Sequence, residues 1–233
     1  MQHYTYLILN ILTLAGPFVL IAHPKHLFYK KFPAVIPAIA ITAIYFLIWD
    51  FAYTKLGVWG FSDEYIIGFR LLGLPIEELL FFITIPYACI FINESIGDYV
   101  LQDVFSDKAK YVLIIALVFF LALIPFSIEK KYTLFVAINA SLVLALALKY
   151  LSAYRQSLFL ISFSVSIIPM LIVNGILTAL PVVWYDDSQN CGVRLYTIPI
   201  EDFGYNLVLL LMNSLLFQYF YKRVVKPTTN PQA

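Results

Sequence analysis

The chain has 233 residues, of which 62% are hydrophobic and only 12% charged, with a formal net charge of +1. The charged residues gather between long apolar runs that take up most of the chain, which leaves no room for a soluble domain of useful size. A charge so near zero argues for neither nucleic acid nor a polyanionic partner. An integral membrane protein is what remains.

In chain order, seven segments reach the roughly 20 mostly apolar residues that a bilayer-spanning helix needs: residues 4–22, 33–51, 74–92, 109–126, 132–150, 158–180 and 198–221. They predict an all-α polytopic membrane protein. The first segment lacks a basic n-region and a small-residue cleavage pattern, so it reads as a retained span. Residues 227–233, Pro-Thr-Thr-Asn-Pro-Gln-Ala, read as a disordered tail.

The loops divide the basic residues unevenly. One set holds Lys25, Lys30, Lys31, Lys108, Lys110, Lys149, Arg155, Lys222, Arg223 and Lys226; the other holds Lys55, Arg70, Lys130, Lys131 and Arg194. By the positive-inside rule the larger set faces the cytoplasm, with the N-terminus outside and the C-terminus inside, in a cell inner membrane. Cys89 falls mid-span and Cys191 in the last outer loop, so no disulfide between them is expected. His3, His23 and His26 all fall outside the spans, and no cluster has metal-site spacing. Neither a metal nor a cofactor is expected.

A short acidic phrase occurs twice, each time where a span begins: Pro75-Ile76-Glu77-Glu78 and Pro199-Ile200-Glu201-Asp202, 124 residues apart. Each has an arginine five residues before its proline, Arg70 and Arg194, and a glycine two residues before that, Gly68 and Gly192. Further matches set Asp50 over Asn174, Thr54 over Thr178 and Trp59 over Trp184, with one extra residue near Pro181, and Tyr4-Thr5 over Tyr132-Thr133. The chain therefore reads as two three-helix repeats, residues 1–108 and 128–226, joined by a linking transmembrane helix over 109–127. The extra crossing makes the repeats parallel, so both acidic motifs share one membrane face and converge on one cavity. The prolines suit the first helical turn, which puts the acids at the second and third helical positions.

Carboxylates are costly in a bilayer and are functional candidates by default. Capping and interfacial solvation would explain one Pro-x-Glu-Glu; two copies with the same upstream glycine and arginine point to function. Adjacent helical residues lie 100° apart, so one acid of each pair can face the cavity squarely, while the other orients it or pairs with Arg70 or Arg194. Burial favours the neutral form of a carboxyl, and two carboxyls in unequal surroundings can divide the roles of general acid and base. Asp50 adds a fifth acid. Trp49, Phe51, Tyr53, Phe81, Phe82 and Tyr205 lie near the acids, and aromatic faces stabilise cations. These residue types suit proton-initiated carbocation chemistry on an apolar substrate, and equally proton-coupled transport.

The duplicated Pro-Ile-Glu-(Glu/Asp) motifs, the paired arginines and the two three-span units resemble the cofactor-independent integral-membrane lycopene cyclases, in the fused single-chain form, over nearly the whole length. The resemblance implies redox-neutral, proton-initiated closure of lycopene ends to β-rings, giving γ-carotene and then β-carotene. It makes Glu77, Glu78, Glu201, Asp202 and Asp50 the catalytic candidates, with Asn174, Arg70, Arg194, Trp49, Tyr205 and Asn206 around the substrate. The implied partners are an apolar carotenoid drawn from the bilayer and other carotenoid enzymes. Both motifs at one face imply one ring per binding event. C50 carotenoids and ε- or γ-rings remain open within the family.

Rivals from other classes fare less well. A retinal protein needs a lysine in the middle of the last span, and none occurs before Lys222. A prenyltransferase needs a second partner for the lone Asp186-Asp187 pair. A flavin-dependent cyclase needs a Gly-x-Gly-x-x-Gly unit, which is missing. A transporter predicts broken helices with matching Gly/Pro interruptions, whereas Gly16-Pro17, Pro86 and Pro169 do not align between the halves.

Overall fold

A computed structural model describes residues 2–21, 28–99 and 108–224. The expected tail, together with Lys25, Lys226, His23 and His26, lies outside the described residues. Seven α-helices run through the rest: α1 (Thr5–Ile21), α2 (Phe32–Lys55), α3 (Ile76–Tyr99), α4 (Lys108–Leu123), α5 (Lys131–Tyr150), α6 (Ala153–Ala179) and α7 (Glu201–Val224). Six of them are long and apolar enough to cross a membrane. The other, α1, is 17 residues long and ends at the edge of a described segment. The molecule is an all-α polytopic membrane protein.

The α2–α3 and α6–α7 connections are built alike. A strand β1 (Trp59–Phe61) follows α2, and β2 (Arg70–Leu71) and β3 (Leu74–Pro75) form a small hairpin before α3. In the second half β4 (Val183–Tyr185), β5 (Arg194–Leu195) and β6 (Ile198–Pro199) do the same before α7. Strands β1 and β4 pair antiparallel, with Gly60 opposite Trp184. Two hydrogen bonds flank that pair, Ser62 N–H to the Val182 carbonyl (3.0 Å) and Asp186 N–H to the Val58 carbonyl (2.9 Å). A shift of 124 residues turns each bond into the other, so a local twofold axis passes through the pair. Both acidic motifs therefore stand at one end of the bundle.

Two sequence expectations are corrected here. No extra residue sits near Pro181, because the 124-residue shift holds unbroken from Val58/Val182 to Ser62/Asp186. Trp59 stands where Val183 does, and Trp184 where Gly60 does. The indole of Trp184 lies so close over Gly60 that a β-carbon there would collide with it. Pro75 and Pro199 also end strands β3 and β6 rather than occupying the first helical turn. Each pairs with the arginine of its own hairpin, a place where a missing N–H costs little.

Aromatic side chains fill the centre between α2, α5 and α7. Phe46, Trp49, Tyr53, Phe135 and Tyr205 join Trp59 and Tyr132 in one cluster, with ring centroids 4.9–6.4 Å apart, the spacing at which aromatic pairs add to simple burial. At the far end of the bundle, buried Glu94 bonds both Lys31 and Arg155 at 2.6 Å, tying α3 to the starts of α2 and α6. A carboxylate this buried needs such partners to persist. The helices carrying Pro17, Pro37, Pro86 and Pro169 each run on through the proline, so the broken helices expected of a transporter are not found among the described residues.

Candidate functional site

Each motif is delivered by a constrained loop. Gly68 (φ +93°) and Gly192 (φ +75°) occupy the left-handed region that glycine enters at little cost. Leu72 (φ +54°) and Tyr196 (φ +59°), also 124 residues apart, take it in the hairpin turns, where an L side chain is strained. The arginines hold those turns shut. Arg70 donates to the carbonyl of Gly73 at 3.0 Å and to Asp63 at 2.5 Å; Arg194 donates to the carbonyl of Thr197 at 2.7 Å and to Asp187. Hydrogen bonds from Arg194 and Asn190 hold Asp187 below the usual carboxylate range. Both arginines thus serve the loops, and their hydrogen bonds go to Phe61, Asp63, Gly73, Asp187 and Thr197 rather than to the motif acids.

The two acids of each motif part company, as the 100° step of a helix requires. Glu77 turns to its own loop, where its Oε1 accepts the N–H of Ile67 at 2.7 Å; Glu201 accepts the N–H of Cys191 at 2.7 Å and the hydroxyl of Thr133 at 2.6 Å. Both are buried, and the second oxygen of each has no partner. Glu78 and Asp202 turn the other way. Glu78 accepts the hydroxyl of Tyr6. Asp202 accepts Tyr132 at 2.5 Å on one oxygen, and Asn174 (3.0 Å) and Tyr185 (3.2 Å) on the other. Burial, and then the Asp202 carboxylate beside it, pushes the Tyr185 hydroxyl well above the usual tyrosine range, so it stays a neutral donor.

Asp50 completes the group. One of its oxygens accepts the indole N–H of Trp59 at 2.5 Å, and the other is buried without a partner. Asp50, Glu78, Asp202 and Asn174 line one pocket of about 60 Å³, walled by Trp59, Phe61, Tyr132, Tyr185 and Tyr205 among others. That pocket shares Phe81, Asn174, Asp202 and Tyr205 with a cleft of about 500 Å³ running down between α1, α3, α6 and α7. Asn206, one turn below Asp202, lines the cleft with its Nδ2 unpartnered.

Of the residues singled out in the sequence, Asp50, Asn174, Glu78, Asp202, Tyr205 and Asn206 line the pocket or the cleft. Glu77 and Glu201 clasp the loops behind it, and Arg70 and Arg194 pin the hairpins. Trp49 packs on Tyr53 and Phe135 instead. Sequence reasoning missed Tyr6, Tyr132, Trp59 and Tyr185 as partners of the acids. A signal existed: Tyr6 and Tyr132 hold matching positions on α1 and α5, two places from the pairing of Tyr4 with Tyr132 read from the sequence.

The chemical content is specific. Three carboxyl groups, each held by hydroxyl, amide or indole donors, face aromatic rings at the loop end of an apolar cleft. Such a site can give a proton to an alkene, shelter the resulting cation and take a proton back. A family model described as Lycopene cyclase matches residues 3–96 and 129–220. The two matched stretches coincide with the two halves described above and leave out α4. No curated protein matches the chain, and no solved structure does.

Proposed function

This chain belongs to the lycopene cyclase family, and we propose that it is the β-cyclase of that chemistry, closing the two ends of lycopene in turn to give γ-carotene and then β-carotene. A carboxyl on the Asp50–Glu78 side gives its proton to C2 of the terminal double bond, leaving a carboxylate and a cation at C1. The C5–C6 double bond supplies the electron pair for a new C1–C6 bond, and the charge moves to C5. Asp202 takes the C6 proton, and the electrons of that C–H bond restore the C5–C6 double bond. The product is an isomer of the substrate, so neither oxidant nor reductant is consumed, and proton exchange with solvent returns the acids of the pocket to their starting state before the next ring.

The division of roles rests on the partners. Asp202, with three donors on two oxygens, is served as a carboxylate, which only accepts. Asp50 has an oxygen with no donor, where a carboxyl proton can sit. The faces of Trp59, Phe61 and Tyr205 stabilise the passing cation, by about 0.5–2 kcal/mol each. One observation carries the reading: two motifs 124 residues apart place Glu78 and Asp202 in one aromatic-walled pocket with Asp50.

The test is pigment analysis of preformed, unlabelled lycopene incubated in heavy-water buffer with membranes from a bacterial host expressing this chain. β-Carotene with one deuterium at C2 of each ring supports the proposal. An ε- or γ-ring product moves the proton-accepting group to another carbon, and unchanged lycopene beside folded protein sinks the cyclase reading. The distribution of lysine and arginine further supports an inner-membrane protein with the acid end outside. Cys191 is exposed at that end and Cys89 is not. A membrane-impermeant maleimide that fails to label Cys191 in intact cells would reverse the orientation.

A further inference from the structure

The local twofold axis gives every wall of the large cleft a counterpart, so there should be two clefts, one on each side of the acid pocket. The large one is walled by α1, α3, α6 and α7. Its counterpart, between α5, α7, α2 and α3, is filled. Matching the residues shows how. With α1 and α5 aligned on Tyr6 and Tyr132, Leu9 corresponds to Phe135 and Thr13 to Asn139. With the 124-residue shift, Pro169 corresponds to Tyr45, Met170 to Phe46, Val173 to Trp49 and Asn206 to Phe82. On the filled side these bulkier residues meet one another. Phe46 stacks on Phe82 at 5.8 Å, Trp49 lies 4.9 Å from Phe135, and the hydroxyl of Tyr45 donates to Asn139 across the gap between α2 and α5. On the open side their smaller counterparts leave about 500 Å³.

The geometry points to lateral, one-sided loading: the acyclic end of a long polyene slides from the bilayer between α1 and α6 into this cleft, and the far half of the chain stays in lipid while the near end is cyclised. This rests on the cyclase reading above. Three observations support it. The cleft is continuous with the acid pocket through Phe81, Asn174, Asp202 and Tyr205. On its rim, Leu12 of α1 and Ile172 of α6 are 61% and 59% exposed on the surface that lipid would cover. Along α3 the lining runs from Phe81 to Ile92, about 16 Å of helix at 1.5 Å per residue, roughly half the hydrocarbon core. A polyene long enough to cross the bilayer does not fit whole, and among the described residues the counterpart cleft that could receive its other end is filled.

Two consequences are measurable. The enzyme does not sense the far end, so a monocyclic chain is as good a substrate as an acyclic one apart from having one reactive end rather than two. The specificity constant for γ-carotene should then be about half that for lycopene, and γ-carotene should rise to about half the pigment before β-carotene replaces it. Filling the open cleft with the residues of the closed one should also block loading.

The experiment compares wild type, Val173→Trp, Gly16→Trp and Ile44→Trp in lipid nanodiscs, with lycopene and γ-carotene supplied separately. Gly16 lines the cleft, and a β-carbon there meets nothing within 4 Å, so the larger side chain starts from open space. Ile44 is 61% exposed on α2 and lines neither cavity, and it serves as the control. Expected is a tenfold or greater rise in KM for both substrates in Val173→Trp and Gly16→Trp with kcat changed less, and no change in Ile44→Trp. Wild-type kinetics in both cleft variants, or a specificity constant for γ-carotene tenfold below that for lycopene, would overturn one-sided loading. An inactive wild type would instead strike at the cyclase reading itself.

Discussion

The loop end of each acidic motif and the cavity end of the same motif lie one residue apart, yet they follow opposite rules. On the loop side the two halves share their main bonds: Glu77 to Ile67 N–H and Glu201 to Cys191 N–H, both at 2.7 Å, and Arg70 to Asp63 and Arg194 to Asp187. On the cavity side they differ at almost every place: Asp50 against Asn174, Glu78 against Asp202, Phe61 against Tyr185, Phe81 against Tyr205. Residues that shape backbone have stayed alike in the two halves, while residues that line the pocket have diverged. The proposed cyclisation needs one proton giver and one proton taker in the shared cavity, and identical halves would supply two of the same.

The largest expected effect sets neighbours against each other. Glu78→Gln and Asp202→Asn should each cut turnover by about 10²–10⁴-fold, the usual worth of a positioned acid or base, with membrane abundance unchanged. The same change one residue earlier, Glu77→Gln or Glu201→Gln, keeps the oxygen that accepts the loop N–H and should cost less than about tenfold. Turnover per folded protein in isolated membranes measures all four, and equal losses at 77 and 78 would erase the distinction between loop and cavity.

A smaller loss is expected behind the acids. Trp59→Phe removes the indole donor to Asp50 and leaves a buried carboxyl unserved, a penalty of about 1–3 kcal/mol. Turnover should fall about tenfold or more, read from the ratio of product to lycopene at fixed time. Glu77→Ala should act on stability instead. The Ile67 N–H loses its acceptor, again about 1–3 kcal/mol, which a thermal melt in detergent would show as a drop of a few degrees.

The smallest effect belongs to the hairpin staples. Arg194 is 27% and Asp187 56% exposed in the side chain, and exposed pairs contribute no more than about 1 kcal/mol. Because Asp187 titrates below its ordinary range in the folded protein, its contribution is present above the unfolded carboxylate pKa and fades only as pH falls through the depressed value. The stability lost in Asp187→Asn should therefore be small and constant between about pH 5 and pH 8. A loss that grows within that range would mean the staple is tied into the acid pocket.

Much of this was readable in the residues alone. Spans announce themselves by apolar length, and a repeat by equal spacing, so the seven helices, the 124-residue duplication and the acids at the starts of α3 and α7 follow from short stretches of chain. Register at finer grain did not. Trp59 and Trp184 looked like partners because both are tryptophan, but the twofold pairing of β1 with β4 sets Trp184 against Gly60. Which acid of each motif faces the cavity depends on how α3 and α7 are rotated against their neighbours, and that rotation is set by packing. The donors that distinguish the acids come from afar: Tyr6 lies 72 residues from Glu78 and Tyr132 lies 70 from Asp202. Whether a cleft is open or plugged depends on side chains from three or four helices meeting in one volume. Local sequence determines where a helix begins and which charges it carries; only tertiary packing decides what those charges face, because side-chain volumes must fill space shared by distant parts of the chain.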